Sequence, residues 1–474
     1  MPERKGGTMI RINAGASCRD VTPDFPVPLG GFGQRTTASE GVRDPVRVTA
    51  LFLGGDSPAV VVTCDLIAIP GQVRSAVVEA MGNHEWFDER RLVLTATHSH
   101  SAPVPHDPSG AAGATARFTE TLVAGIVEAV LDARATARDA EVVSGTGDVR
   151  IGFNRWRPDE ESMVDTRIPV VSLIDISNRE VFAVLFGAGC HPTTFGWDNM
   201  LVSADYPGVA KRCVEEAFPG AVAMFVNTTE GDVVPLTSAR RDALDPRGYT
   251  GTDPGRGELI GRMLADEVTR VVRTSAGNPG EEDGSFRLVS GHVDVAPSNG
   301  GLDDAAASRR LRESTEVLGA HLGGDFADRI PLASLWAACS AAVIEADMDD
   351  EEMRGVMISC CYFLGLTARA ARGSNPAPVA APLQAMVIDQ ARFLFLPGEV
   401  LVGVGRLWSD LIGHPDSFTV GLANTHLRYL PLASHFAEPG ADRRYETVTA
   451  GVAPGEVDRL VAHGAVMLRD GATA

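Results

Sequence analysis

The sequence predicts an α/β fold in which mixed β-sheets are covered by helices. Short runs rich in β-branched residues alternate with segments carrying apolar residues at helical spacing, and clusters of Gly, Pro, Asn and Asp separate the two. The composition agrees. Of 474 residues, 44% are hydrophobic, 22% charged and 6% aromatic, enough apolar material for a sizeable core.

In chain order, the strand-like runs of the first part are 48–53, 59–63, 92–97 and 170–174. Helical spacing of apolar residues falls at 72–81 and 118–135, and the second segment is long enough to cover a sheet face. Past His191, segments 209–217 and 258–272 read as helices on either side of the strand-like 222–226. Helices follow at 305–318 and 332–346. The stretch 372–378, Arg-Gly-Ser-Asn-Pro-Ala-Pro, then breaks the pattern before strands at 385–388 and 392–396. A polar, turn-rich loop at 278–284 marks a candidate lobe boundary, near 276–286, within a single domain spanning 1–474. No internal repeat or low-complexity tract is present.

A formal charge of −20, from 62 acidic against 42 basic residues, repels phosphate backbones and anionic membranes. Nucleic acid and stable membrane association are therefore not expected, and a small-molecule partner is. No run of about 18 apolar residues occurs, and Met1 to Gly7 lacks the apolar core of a signal peptide, so the expected setting is soluble and cytoplasmic. The seven cysteines are odd in number, scattered and without a Cys-x-x-Cys pair, which fits buried free thiols.

Chemistry concentrates where apolar runs end. Leu92-Val93-Leu94-Thr95-Ala96-Thr97 leads into His98-Ser99-His100, and strand alternation carried to its end would send both imidazoles from one face. Converging imidazoles suit a divalent ion, although by themselves they equally fit a hydrogen-bonded strand-end turn. Ala183 to Gly189 delivers Cys190-His191 into a turn stiffened by Pro192, and Phe393-Leu394-Phe395-Leu396 stops at Pro397-Gly398 with Glu399 next. Singly, such strand ends are common on surfaces. Two histidines and a carboxylate together leave a position for water, whose pKa bound zinc brings to roughly 7.

These segments resemble the neutral and alkaline ceramidase family in its N-terminal catalytic domain. The resemblance runs through Ala14-Gly15-Ala16 and Asp20-Val21-Thr22-Pro23, Leu29-Gly30-Gly31-Phe32-Gly33, Thr63-Cys64-Asp65-Leu66, Thr97 to Pro103 and Phe153-Asn154-Arg155. It continues in Cys190-His191-Pro192-Thr193, Ser203 to Gly208, Gly231-Asp232-Val233 and Pro397-Gly398-Glu399. It implies zinc held by His98, His191, Glu399 and Tyr445, with His100 beside the metal as an acid/base or orienting group. Arg155 would contact the substrate or a developing oxyanion. Asp65 and Asp232 would orient a ligand imidazole, or else cap turns.

Two departures stand out. Tyr445 sits in Arg443-Arg444-Tyr445-Glu446 rather than after the family's glycine-rich approach, and Val234 occupies the place of a serine to which the family assigns a catalytic role. A valine cannot be a nucleophile, so hydrolysis would require water activated at the metal. The implied function is a zinc-dependent hydrolase cleaving the linear amide bond of a small N-acyl substrate. Acyl transfer or cyclisation with an amine in place of water, and a non-catalytic ligand binder, are the alternatives. The chain shows neither the family's additional C-terminal β-sandwich domain nor a signal peptide, which points away from long-chain ceramide. Of the other histidines only His106 is near enough in sequence to line the site. His84, His292, His321, His414, His426, His435 and His463 read as surface or structural.

Overall fold

Unbroken burial marks several strands, edge as well as interior. Arg47–Leu53, Ala59–Cys64, Leu92–Ala96 and Val181–Ala188 have nearly every side chain covered, as expected of strands packed on both faces. The computed structural model describes residues 10–105, 113–238, 244–275, 285–298, 300–371 and 377–471. His106, the loop 278–284 and residues 372–376 of the pattern break lie outside them.

An eight-stranded mixed sheet has the spatial order 222–227, 181–188, 167–175, 138–148, 10–20, 47–53, 59–64, 92–96. Its inner neighbours pair antiparallel, as in Leu51↔Val61, whereas each edge strand runs parallel to its neighbour, as in Phe225↔Phe186 and Val62↔Leu94. A second sheet, ordered 285–295, 379–389, 391–395, 417–420, packs against the first. Leu288, Met386 and Phe393 share one core with Leu51, Val61, Leu173 and Met224.

Helices cover the outer faces. Gly71–Met81 and Ala114–Ala135 lie over the 47–64 side of the large sheet, and Asp205–Ala217 with Pro254–Ser275 over the 170–188 side. Val402–Ile412 and Glu456–Asp470 cover the smaller sheet. Ala114–Ala135 buries Phe118, Leu122, Ile126, Ala129, Val130 and Ala133, the stripe its sequence spacing requires. Each large apolar side chain so covered contributes roughly 1.5–3 kcal/mol.

Between Val295 and Val379, which pair directly, the chain makes a helical insertion containing Asp304–Leu322, Leu332–Glu345 and Asp350–Ala371. It has its own core, including Leu318, Phe326, Cys339, Met357 and Phe363. Asp350–Ala371 has no counterpart in the sequence reading. It buries an unbroken run from Val356 to Phe363, so the polar contrast that reveals a surface helix is missing. The described cysteines are all free, and among the described residues no helix is long and apolar enough to cross a membrane.

Candidate metal centre

Four strands deliver their carboxyl ends to one place, the usual location of sites in α/β sheets. Leu92–Ala96 runs into Thr97-His98, Val181–Ala188 into Gly189-Cys190-His191, Val222–Asn227 into Thr228-Thr229-Glu230, and Ala391–Phe395 into Leu396-Pro397-Gly398-Glu399. The two edges of the large sheet meet here: Asn227 Nδ2 donates to Thr97 O at 3.1 Å, and Gly421 N to Asn227 O at 3.0 Å.

The strand ends at Ala96, so alternation is not what brings His98 and His100 together. His98 has φ 70°, a left-handed turn conformation uncommon outside glycine, and its N–H donates to Leu66 O at 2.8 Å. The turn brings the two rings edge to face, with centroids 4.9 Å apart, and His191 lies 5.0 Å from His98.

Backbone carbonyls set the tautomers. His98 Nδ1 is 2.6 Å from Ile67 O, and His191 Nδ1 is 2.7 Å from Glu230 O and 3.1 Å from Val233 O. A carbonyl only accepts, so each Nδ1 carries a proton, and the neutral form of either ring presents its Nε2 lone pair to the cluster. Both Nε2 atoms lie 3.4 Å from Glu399 Oε2, a buried oxygen without a hydrogen-bond partner. Burial lowers the His191 pKa to about 4 and that of His100 well below the ordinary imidazole value, so neither ring supplies a cation at neutral pH.

Three electron-rich atoms facing one another repel unless a cation lies among them. Tetrahedral coordination with metal–ligand bonds of about 2.0–2.1 Å sets neighbouring donors about 3.3–3.4 Å apart. The observed separations match that edge, and imidazole and carboxylate are suitable donors for a divalent ion. His98, His100 and His191 also offer ring nitrogens that all lie within 4.8 Å of one another.

A phenol completes the cluster. Glu399 pairs with Tyr429 in a short parallel ladder, and Tyr429 OH lies 3.4 Å from His191 Nε2. Arg155 Nη2 donates to that hydroxyl at 3.2 Å and to Gly231 O at 2.8 Å, while Nε donates to Glu446 Oε1 at 2.5 Å. Arg155 is thus tied to protein partners and holds Tyr429. Tyr445 lies on the wall of the same cavity, its ring 5.5 Å from that of Tyr429 and 6.1 Å from Trp336.

His100 Nε2 lies 3.4 Å from His98 Nε2, and its Nδ1 is buried without a partner. Gly31, at φ 92°, admits the ring: a Cβ there would fall 2.4 Å from His100 Cγ. Above the cluster is a cavity of about 370 Å³ walled by Phe32, Tyr249, Trp336 and Tyr445.

Of the two roles expected for Asp65 and Asp232, orienting an imidazole or capping a turn, their contacts fit backbone capping and ion pairing. Asp65 accepts from Lys211 Nζ at 2.6 and 2.7 Å and from Arg47 N at 2.9 Å. Asp232 accepts from Asn154 Nδ2 at 2.9 Å and from Val402 N at 3.0 Å. Carbonyls at positions 67, 230 and 233 take the orienting role instead, and no side-chain pattern announces a carbonyl. Val234 is fully buried opposite Phe153 and is not among the described residues lining the cavity. His426, read as structural, places Nε2 3.4 Å from Glu399 Oε1. Tyr429 was missed because the strand that carries it has only two residues.

A sequence profile of the family described as neutral/alkaline non-lysosomal ceramidase, N-terminal, matches residues 12–245. Neutral ceramidase B of Dictyostelium discoideum is 27% identical over 52% of this chain, a stretch spanning 38% of that protein. The neutral ceramidase of Mycobacterium tuberculosis is 22% identical over 92% of this chain and 73% of that protein. Among solved structures, neutral ceramidase from Pseudomonas aeruginosa superposes with a TM-score of 0.67 at 19% identity, covering 98% of this chain and 75% of that one. That likeness shows a shared mixed α/β fold.

Proposed function

Because the chain belongs to the neutral/alkaline non-lysosomal ceramidase family, we propose that it is a metal-dependent hydrolase, with zinc as the ion, that cleaves the amide bond of a small N-acyl substrate. The observation that carries this reading is the trio of His98 Nε2, His191 Nε2 and Glu399 Oε2, with lone pairs converging at 3.4 Å beneath a cavity. These three residues would hold the ion. Tyr429 rather than Tyr445 would join them, since it is the Tyr429 hydroxyl that stands 3.4 Å from His191 Nε2.

A divalent ion at this position supplies Lewis-acid activation of water and of the amide carbonyl. The chain's own groups do the rest. His100, neutral and with Nε2 facing the cluster, accepts the proton released by the attacking water and returns it to the departing nitrogen. Arg155 fixes Tyr429 and adds positive charge beside the carbonyl oxygen as negative charge develops there. The rings of Phe32, Tyr249 and Trp336 take the apolar part of the substrate and exclude bulk water. With Val234 in place of a hydroxyl, water attacks directly and no acyl-enzyme forms at that position. The formal charge of −20 favours a soluble substrate over one drawn from an anionic membrane surface.

Cleavage of an N-acyl amine by the zinc-loaded protein in heavy-oxygen water tests this. One solvent oxygen should enter the released acid. A new amide formed with an added amine, without solvent oxygen, would instead establish acyl transfer.

A further inference from the structure

A second cavity of about 190 Å³ adjoins the first, and the two share Cys361, His426, Arg428 and Thr449. His426 Nε2 lies 3.4 Å from Glu399 Oε1, so the second chamber begins one side chain away from the metal-ligating carboxylate. Leu366, Val379 and Val448 line it, and Arg428 is the one Lys, Arg, Asp or Glu among its described lining residues.

The other charges on the first cavity are committed. Arg155 pairs with Glu446, and Glu399 faces His98, His191 and His426. Arg428 is exposed, and no carboxylate lies within 4 Å of its guanidinium among the described residues. Its charge reaches the Tyr445 phenol. Its backbone is pinned at φ 58°, with Arg428 O accepting from Glu399 N at 2.9 Å, so the side chain is anchored in register with the metal cluster. In a protein of formal charge −20, a free guanidinium at the junction of two cavities is a place for an anion.

We propose that Arg428 binds a carboxylate of the substrate, so that the amide cleaved here carries an acidic group on the arm entering the second cavity, as an N-acyl amino acid does. The inference rests on the amidohydrolase reading and adds the substrate class. The planar guanidinium meets a carboxylate through two parallel N–H···O bonds. Leu366, Val379 and Val448 lie along the apolar part of the same arm. A neutral arm of equal length fits the space but gains nothing from Arg428.

The test compares N-decanoylglycine with N-decanoylglycinamide, which differ in charge and little in shape. Binding to the metal-free protein is followed by calorimetry and by the fluorescence of Trp336, which lines the first cavity. The wild type should bind the anionic amide about tenfold to a hundredfold tighter than the neutral one. R428Q should remove that advantage to within about twofold while leaving the neutral amide unchanged, and R428K should keep only part of it. Equal binding of the two amides by the wild type, binding of neither, or an advantage that survives in R428Q would overturn the proposal. Acid release by the metal-loaded protein is measured separately. Preference for the anion without cleavage of either amide would count against the amidohydrolase reading and leave the carboxylate site standing.

Discussion

Glu399 and Tyr429 are partners across a two-residue parallel ladder, and this pairing sets a carboxylate and a phenol on the same side of His191. Replacing the phenol tests whether the ladder builds a ligand. Tyr429→Phe should lower zinc affinity and amide cleavage about tenfold to a hundredfold, while Tyr445→Phe leaves bound zinc near one equivalent. Metal content after dialysis, measured on both variants, decides between the two tyrosines.

The unshared lone pairs around Glu399 Oε2 make the centre a source of instability in metal-free protein. Glu399→Gln should abolish zinc binding and activity yet raise the melting temperature of the metal-free protein, because an amide can donate to one of the two Nε2 atoms. In the wild type, zinc should restore both activity and several degrees of thermal stability after chelation. A metal-free Glu399→Gln protein melting below metal-free wild type would refute this account.

Gly31 lies against His100 and has no room for a side chain. Gly31→Ala should displace the ring and reduce kcat at least tenfold, with zinc content unchanged, because the ligand imidazoles of His98 and His191 are held by other backbone contacts. Loss of zinc along with activity would show that His100 itself helps bind the ion.

Asp65 belongs to a buried ion pair with Lys211. Lys211→Met leaves an uncompensated carboxylate in the interior and should cost about 3–5 kcal/mol in urea unfolding. Adding Asp65→Leu to the same chain should recover part of that loss, which a double-mutant comparison reads directly.

Acid should destabilise the metal-free protein before it reaches the ordinary carboxylate range. Burial holds His191 at about 4 in the folded state, against about 6.5 for a free imidazole. Between those values the unfolded chain binds the additional proton, so this contribution is complete above pH 6.5 and is lost as pH falls toward 4. It amounts to about 3 kcal/mol as an order of magnitude. Urea midpoints measured from pH 7.5 to 4.5 should fall more steeply for wild type than for His191→Gln.

The legible part of the sequence was the part written in side chains. Runs such as 59–63 and 118–135 announced a strand and a helix because their burial is periodic or unbroken over several residues. His98, His191 and Glu399 were singled out because each follows such a run, and the structure places both Nε2 atoms 3.4 Å from Glu399 Oε2. What escaped was carried by the backbone. The left-handed turn at His98, the carbonyls that fix both imidazoles, and the two-residue strand that presents Tyr429 leave no trace in residue type or period. Asp65 drew attention through the Thr63-Cys64-Asp65-Leu66 segment of the family resemblance, whereas its partner Lys211 comes from a distant helix.

The helical insertion leaves and rejoins its hairpin at two residues that face each other, Val295 and Val379. A segment attached by adjacent ends can be lengthened, trimmed or exchanged without disturbing the strands that aim His98, His191 and Glu399. Trp336, Cys361 and Leu364, which belong to this segment, nevertheless form part of the cavity wall. Remodelling this roof therefore changes what the cavity accepts without moving the three side chains on its floor.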